Sequence, residues 1–157
     1  MTRVALVTLA HDEINVYSLA FGDGYLFAGC YSEPYNNDSA IPVKVVKIDP
    51  KAMKSVASLT GDVGDIGTRT SIFDNGHLYV GTWTGPGRVL KIDPKTMTKE
   101  STLVLSSVLY VNTNETGCVN FPSCFVKDGD DILTGCDMSP ARFLRLVDVL
   151  KHKPGQK

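Results

Sequence analysis

The segment Val89–Met97, VLKIDPKTM, restates with small edits the segment Val45–Met53, VVKIDPKAM. A nine-residue phrase written twice in a chain of 157 residues marks a repeat, and a repeat decides the fold before any single motif does. The surroundings repeat with it. SLAFGDGYLFAGCY (Ser18–Tyr31) aligns with TSIFDNGHLYVGTW (Thr70–Trp83), then with PSCFVKDGDDILTGCD (Pro122–Asp137), read with two extra residues in the turn. In this alignment Phe21, Phe73 and Phe125 correspond, as do Gly29, Gly81 and Gly135. GRVLKIDPKTM follows the second unit, and a worn version, ARFLRLVDVL (Ala141–Leu150), follows the third.

Each unit reads as β-structure. Short runs of aromatic and β-branched residues are broken at Asp23-Gly24, Asn75-Gly76 and Asp128-Gly129, dipeptides that supply the positive φ of a tight hairpin. The repeated phrase is a strand of Val, Leu and Ile ended by Asp-Pro, where the proline pre-sets φ for a turn and the aspartate caps it. MKSVASLT and MTKESTLVL alternate as a further, outer strand. About four strands per unit of this length is the content of a β-propeller blade.

The stretch LYVGTWTGPGRVLKIDPKTM, in which a strand ending in Gly-Thr leads through a Pro-Gly turn into a Val-rich strand, resembles the YVTN and quinoprotein-like class of propeller repeats. The resemblance extends over nearly the whole chain and is strongest in the second unit. It implies an all-β protein with three four-stranded blades per chain, in a class that hosts enzymes, binding proteins and structural proteins alike. One repeat domain is expected over residues 1–150, with units at about 14–64, 65–115 and 116–150, and a polar tail over 151–157.

Met1 falls in register with Met53 and Met97, and MTRVALVT aligns with MKSVASLT. Residues 1–13 are therefore expected to be the outer strand of a neighbouring third blade, and Val4–Ala10 a strand rather than the apolar region of a signal peptide. The third unit has its three inner strands and lacks the outer one. Three blades do not close a ring, since propellers carry about four to eight. The expectation is a half-propeller that closes as a six-bladed homodimer by exchange of N-terminal strands. Pairing with a different chain, or membership of a longer one, are its rivals.

Sixteen basic residues balance seventeen acidic ones, so nothing marks a nucleic-acid groove, and no apolar run is long enough for a membrane span. Neither nucleic acid nor membrane is expected as a partner; a cytoplasmic location is expected, with secretion as the alternative. Cys30, Cys118, Cys124 and Cys136 show no metal-ligand spacing and read as buried reduced thiols. Asp128, Asp130 and Asp131 lack the glycine and distal acid of a calcium loop and read as a solvated turn. No cofactor and no metal site are expected, and no catalytic motif stands out.

The resemblance implies that ligands bind at the channel mouth or on the rim formed by the inter-blade and second-to-third-strand loops. Tyr31, Trp83 and Asp137 occupy equivalent rim positions, where aromatic plates and an acid suit a sugar ring, a peptide or a small anion. Tyr31 and Trp83 as mere gap-fillers between blades is the plainer reading. Arg69 opens an inner strand and offers a forked donor, or else pairs internally with Asp62 or Asp65. Glu33 in the long Tyr31–Pro42 loop, His11 and Arg142 complete the candidate set. Three functions follow: a non-catalytic ligand- or protein-binding module, a lyase or hydrolase working at the channel mouth with His11, Glu33 and Arg69, and a scaffold docking another protein.

Overall fold

Asp23 and Gly24 both take positive φ (49° and 82°), as do Asn75 and Gly76 (47° and 76°), the backbone of a two-residue type I′ turn. These turns join β1 (Val16–Gly22) to β2 (Tyr25–Cys30) and β5 (Thr68–Asp74) to β6 (His77–Thr82). The repeated phrase forms β3 (Lys44–Asp49) and β7 (Arg88–Asp93), and the outer strands are β4 (Lys54–Thr60) and β8 (Thr98–Val104). The third unit contributes β9 (Pro122–Asp128), β10 (Asp131–Cys136) and β11 (Arg142–Leu146). This is a computed structural model, which describes residues 5–13, 15–30, 42–105, 122–136 and 142–146. The described strands make three antiparallel sheets, ordered β1-β2-β3-β4, β5-β6-β7-β8 and β9-β10-β11.

The Asp-Pro turns cap as their sequence demands. Asp49 Oδ1 accepts the N–H groups of Lys51 (2.8 Å) and Ala52 (3.1 Å), and Asp93 Oδ1 accepts those of Lys95 (2.7 Å) and Thr96 (3.4 Å). Bonding to the charged form holds both carboxyls below the usual aspartate range. Each turn closes on a methionine in the left-handed region, Met53 at φ 49° and Met97 at φ 53°. Methionine is an uncommon choice there, and burial of Met97 in the core opposes its cost.

The third hairpin differs from its expected register. Asp128 pairs with Asp131 around a turn of Gly129 and Asp130, so the turn has two residues, as in the other blades, and no insertion. Only Gly129 among these has positive φ (60°), the arrangement of a type II′ turn, which places glycine first. Matching Phe125 to Phe21 and Phe73, with two residues inserted in the turn, shifts the first strand by two. Lys127, not Phe125, stands where Phe21 and Phe73 stand.

The blades stack through their first strands. A Cβ on Gly29 would run into Ser18 Oγ and the Thr68 side chain of the next blade, and one on Gly81 would lie 2.8 Å from Pro122 Cγ. Glycine recurs here because the neighbouring blade leaves no room for a side chain. Between the first two blades Ala20, Phe27 and Val45 pack on Leu78, Val80, Leu90 and Ile92. Between the second and third, Tyr79, Val89 and Leu105 pack on Ile132, Cys136, Leu144 and Leu146. Burying a side chain of this size contributes roughly 1.5–3 kcal/mol, so these two layers hold the stack together.

Residues 5–10 carry no strand pairing, unlike the strand expected over Val4–Ala10. The first blade already has four strands, so an outer strand at this place needs the third strand of a preceding blade to pair with. Val7 and Leu9 nevertheless pack on Ala28, Cys30, Val46 and Ile48, much as Ala57 and Leu59 of β4 join the layer ahead of the second blade. Cys30 and Cys136 are buried and free, their thiols pushed up to about 11 by burial. Cys124 is free but exposed, on the outward side of the third sheet, and Cys118 lies outside the described residues.

Candidate functional site

One residue in each inner strand stands outside the ladder. The β1–β2 register runs Val16↔Cys30 then Ser18↔Gly29, that of β5–β6 runs Thr68↔Thr82 then Thr70↔Gly81, and that of β9–β10 runs Pro122↔Cys136 then Cys124↔Gly135. Each first strand thus carries a bulge, at Tyr17, Arg69 and Ser123. A bulge re-aims a side chain and bends the strand, and bulges concentrate beside functional sites. All three lie at the end of the sheet that carries the inter-blade loops.

Arg69 is the bulge residue of the second blade, and its Cζ lies 4.2 Å from the centroid of the Trp83 ring. Trp83 follows β6, and its backbone N–H is held by the carbonyls of Ile66 (2.9 Å) and Gly67 (3.1 Å). Both side chains are half-buried. The guanidinium and the indole form a cation–π pair, worth about 0.5–1 kcal/mol where water still reaches it. Just beyond, the hydroxyls of Thr82 and Thr84 are 2.7 Å apart, in buried positions.

Beside this pair lies a carboxylate that the fold encloses. Asp65 is 1% exposed, yet Oδ1 accepts Arg88 Nη1 (2.9 Å) and Oδ2 accepts Lys99 Nζ (2.8 Å). Lys99 also reaches Asp62 (2.5 Å). Burial alone would raise the Asp65 carboxyl, but the bonds from Lys99 and Arg88 outweigh it and hold the group below the usual range. Burial likewise pulls the Lys99 ammonium down, and the two aspartates lift it above its ordinary value. The first blade has the same clamp in simpler form. Asp12, in the loop ahead of β1, pairs with Lys44 at the start of β3, as Asp65, ahead of β5, pairs with Arg88 at the start of β7. The bond from Lys44 lowers the Asp12 carboxyl.

Of the residues singled out in the sequence, the structure brings Arg69 and Trp83 together. The Asp65 oxygens, weighed as partners of Arg69, are engaged by Arg88 and Lys99. His11 sits exposed in the turn ahead of β1. Tyr31, Glu33 and Asp137 lie outside the described residues, and Arg142 is described only as the backbone that opens β11, opposite Cys136. Lys44, Arg88 and Arg142 are thus register equivalents. The clamp was missed because its acids sit in loops of unequal length, although the matched cations were there to be read. At the other end of the third sheet, Arg145 forks onto Asp128 (2.7 Å) and Asp131 (2.9 Å), so two of the three aspartates at this turn are ion-paired. Among the described residues no group of three or more His, Cys, Asp or Glu is placed to hold a metal. No described helix is long and apolar enough to cross a membrane.

No family model and no curated protein matches the chain. Solved structures do. Hydrazine synthase of Kuenenia stuttgartiensis aligns over 83% of this chain and 34% of its own at TM-score 0.53 and 13% identity. Sqt1 of Saccharomyces cerevisiae aligns over 83% and 31% at TM-score 0.50 and 10% identity. Glutaminyl cyclase of Myxococcus xanthus aligns over 74% and 41% at TM-score 0.50 and 9% identity. The chain spans between three and about four tenths of these propeller-type structures. The likeness is one of architecture, and it makes this chain a β-propeller-like all-β protein.

Proposed function

We propose that the chain is a non-catalytic binding module whose ligand sits on the loop rim over Arg69 and Trp83. The observation that carries this reading is the guanidinium set 4.2 Å from the indole at a strand bulge, rather than within the regular ladder. An indole plate suits the apolar face of a sugar ring, and a guanidinium edge suits a carboxylate. The ligand class that uses both is an acidic carbohydrate. The Asp65 clamp fixes the loop Gly61–Gly67, whose carbonyls hold Trp83, so the platform is ordered before binding.

Trp83 is the only tryptophan of the chain, so its fluorescence reports directly on this site. Titration with oligogalacturonate is expected to change that fluorescence with saturation, while a neutral galactan does not. Arg69→Ala is expected to abolish the response with the fold intact. An unchanged response in Arg69→Ala, or equal responses to both glycans, removes the reading. Turnover of the glycan would move the chain to the enzyme class.

We further propose that the blades belong to a ring closed by two copies of the chain, six blades in all, with the segment around Val7 and Leu9 of each copy completing the third blade of the other. The way Val7 and Leu9 lie on the first blade supports this. A solution mass of twice the 17.0 kDa chain is expected, stable on dilution. We place the protein in the cytoplasm, consistent with free cysteines at positions 30, 124 and 136.

A further inference from the structure

Cross-strand partners share a face, so the register of each sheet sorts its residues into two sides. The side of each blade that faces its successor presents a glycine near the rim and a receiving position near the hairpin turn. In the first blade these are Gly29 and Gly22, in the second Gly81 and Asp74, in the third Gly135 and Asp128. The next blade fills them from its first strand. Phe73 covers Gly22 and stacks on Phe27 with centroids 5.8 Å apart, while Thr68 covers Gly29. One blade on, Lys127 pairs with Asp74 and Pro122 covers Gly81.

The third blade presents the same side with no further blade described on it, and there Arg145 of its own sheet is ion-paired with Asp128 and Asp131. The three atoms nearest a Cβ on Gly135 belong to Cys124 and Phe143 of its own sheet. Phe143 is 85% exposed, Val126 is exposed and Leu133 half-buried beside it. At the opposite end of the stack, the first blade turns outward the side that would fill such a face. Phe21, 63% exposed, stands where Phe73 and Lys127 stand, and Leu19, also exposed, stands where Phe125 stands.

We propose that the third blade receives the first blade of a second copy in this register. Phe21 of the second copy lies over Asp128 and Leu133, Leu19 lies beside Gly135, and Val16 covers Gly135 as Thr68 covers Gly29. The occupant is a second copy because its first strand offers apolar residues at each place where the third blade offers an apolar or side-chain-free one. This deepens the two-copy ring proposed above and rests on it. Two such joints, related by a twofold axis, close the assembly.

The test uses position 21, which is exposed in the single chain and buried in the joint. The second blade shows that lysine at this place is satisfied by the aspartate opposite. Phe21→Lys is therefore expected to retain the dimer, with an affinity that falls as salt rises, because Asp128 and Asp131 share the single charge of Arg145 and leave one negative charge for the lysine to meet. Phe21→Asp adds a third carboxylate to two that already share one arginine and is expected to weaken the dimer by at least about 100-fold. Sedimentation equilibrium reads both, with circular dichroism confirming that each variant is folded. Equal effects of Lys and Asp in a protein that still dimerises would overturn this register and leave the ring standing. A wild-type chain that stays at 17.0 kDa over the whole concentration range overturns both.

Discussion

The two joints of the stack solve one geometric problem with opposite chemistry. Between the first and second blades the contact near the hairpin turns is Gly22, Phe27 and Phe73, an aromatic ring laid into a space that a missing side chain leaves open. Between the second and third, the same three places hold Asp74, Tyr79 and Lys127. The first joint draws on apolar burial and ring stacking, which are insensitive to salt and pH. The second buries a carboxylate and a phenol and relies on an ammonium that is still half in water. Asp74 Oδ2 and Tyr79 Oη have no hydrogen-bond partner among the described residues, and the first joint carries the same kind of cost nearer the rim, at Ser18 Oγ, Thr68 Oγ1 and Ser71 Oγ. Burial first, and the nearby Asp74 carboxylate second, push the Tyr79 phenol up to about 12. The repeat thus conserves a place in space, and the place accepts a ring or an ion pair.

The largest break in this comparison comes from forcing the second solution onto the first. Gly22→Asp drives a side chain into the Phe73 ring and is expected to cost about 3 kcal/mol in urea unfolding. Pairing it with Phe73→Lys rebuilds the Asp74–Lys127 arrangement and is expected to recover part of that loss. Additive losses in the double variant would mean that the two joints are not equivalent.

The second joint is expected to fail asymmetrically. Lys127→Ala strands a buried carboxylate and should cost about 2 kcal/mol, whereas Asp74→Ala leaves a lysine free to turn to water and should cost about 1. Equal losses would remove the argument that burial of Asp74 dominates.

The rim clamp is smaller still and shows itself through pH. Asp65 has its folded value held below its ordinary 3.8, so its contribution is fully present above that value and is lost as pH falls through the folded one. Asp65→Asn is expected to cost about 1–2 kcal/mol at neutral pH and to flatten the acid limb of the stability curve. An unaltered acid limb in the variant would transfer that limb to other carboxylates. The smallest effect is expected at the rim itself: Arg69→Ala should cost under about 1 kcal/mol, as the cation–π pair is partly solvated.

The blade architecture was legible because turn chemistry and repetition agree. Asp-Gly, Asn-Gly and Asp-Pro each force a backbone path, and finding them at fixed intervals fixes the strands between them. The same reasoning failed at Asp128-Gly129, where two aspartates flank the glycine and the dipeptide fits two registers. Side-chain identity misled as well, since Phe125 looked like the match of Phe73 while a lysine holds that place. The Arg69–Trp83 pair was half legible: both residues were singled out, but their meeting depends on a bulge that no local pattern announces. The Asp12–Lys44 and Asp65–Arg88 clamps join loops to distant strands, and such contacts are set by the stack rather than by neighbours in the chain.

The bulges at Tyr17, Arg69 and Ser123 have a further consequence. A residue outside the ladder does not follow the alternation of the two sheet faces, so its side chain is set by its own surroundings and not by the register. Aromatic, cationic and hydroxyl side chains already occupy that one position in three blades. A library randomised at these three positions should yield mostly folded proteins that differ in what they hold, so that recognition could drift in this scaffold while its architecture stood still.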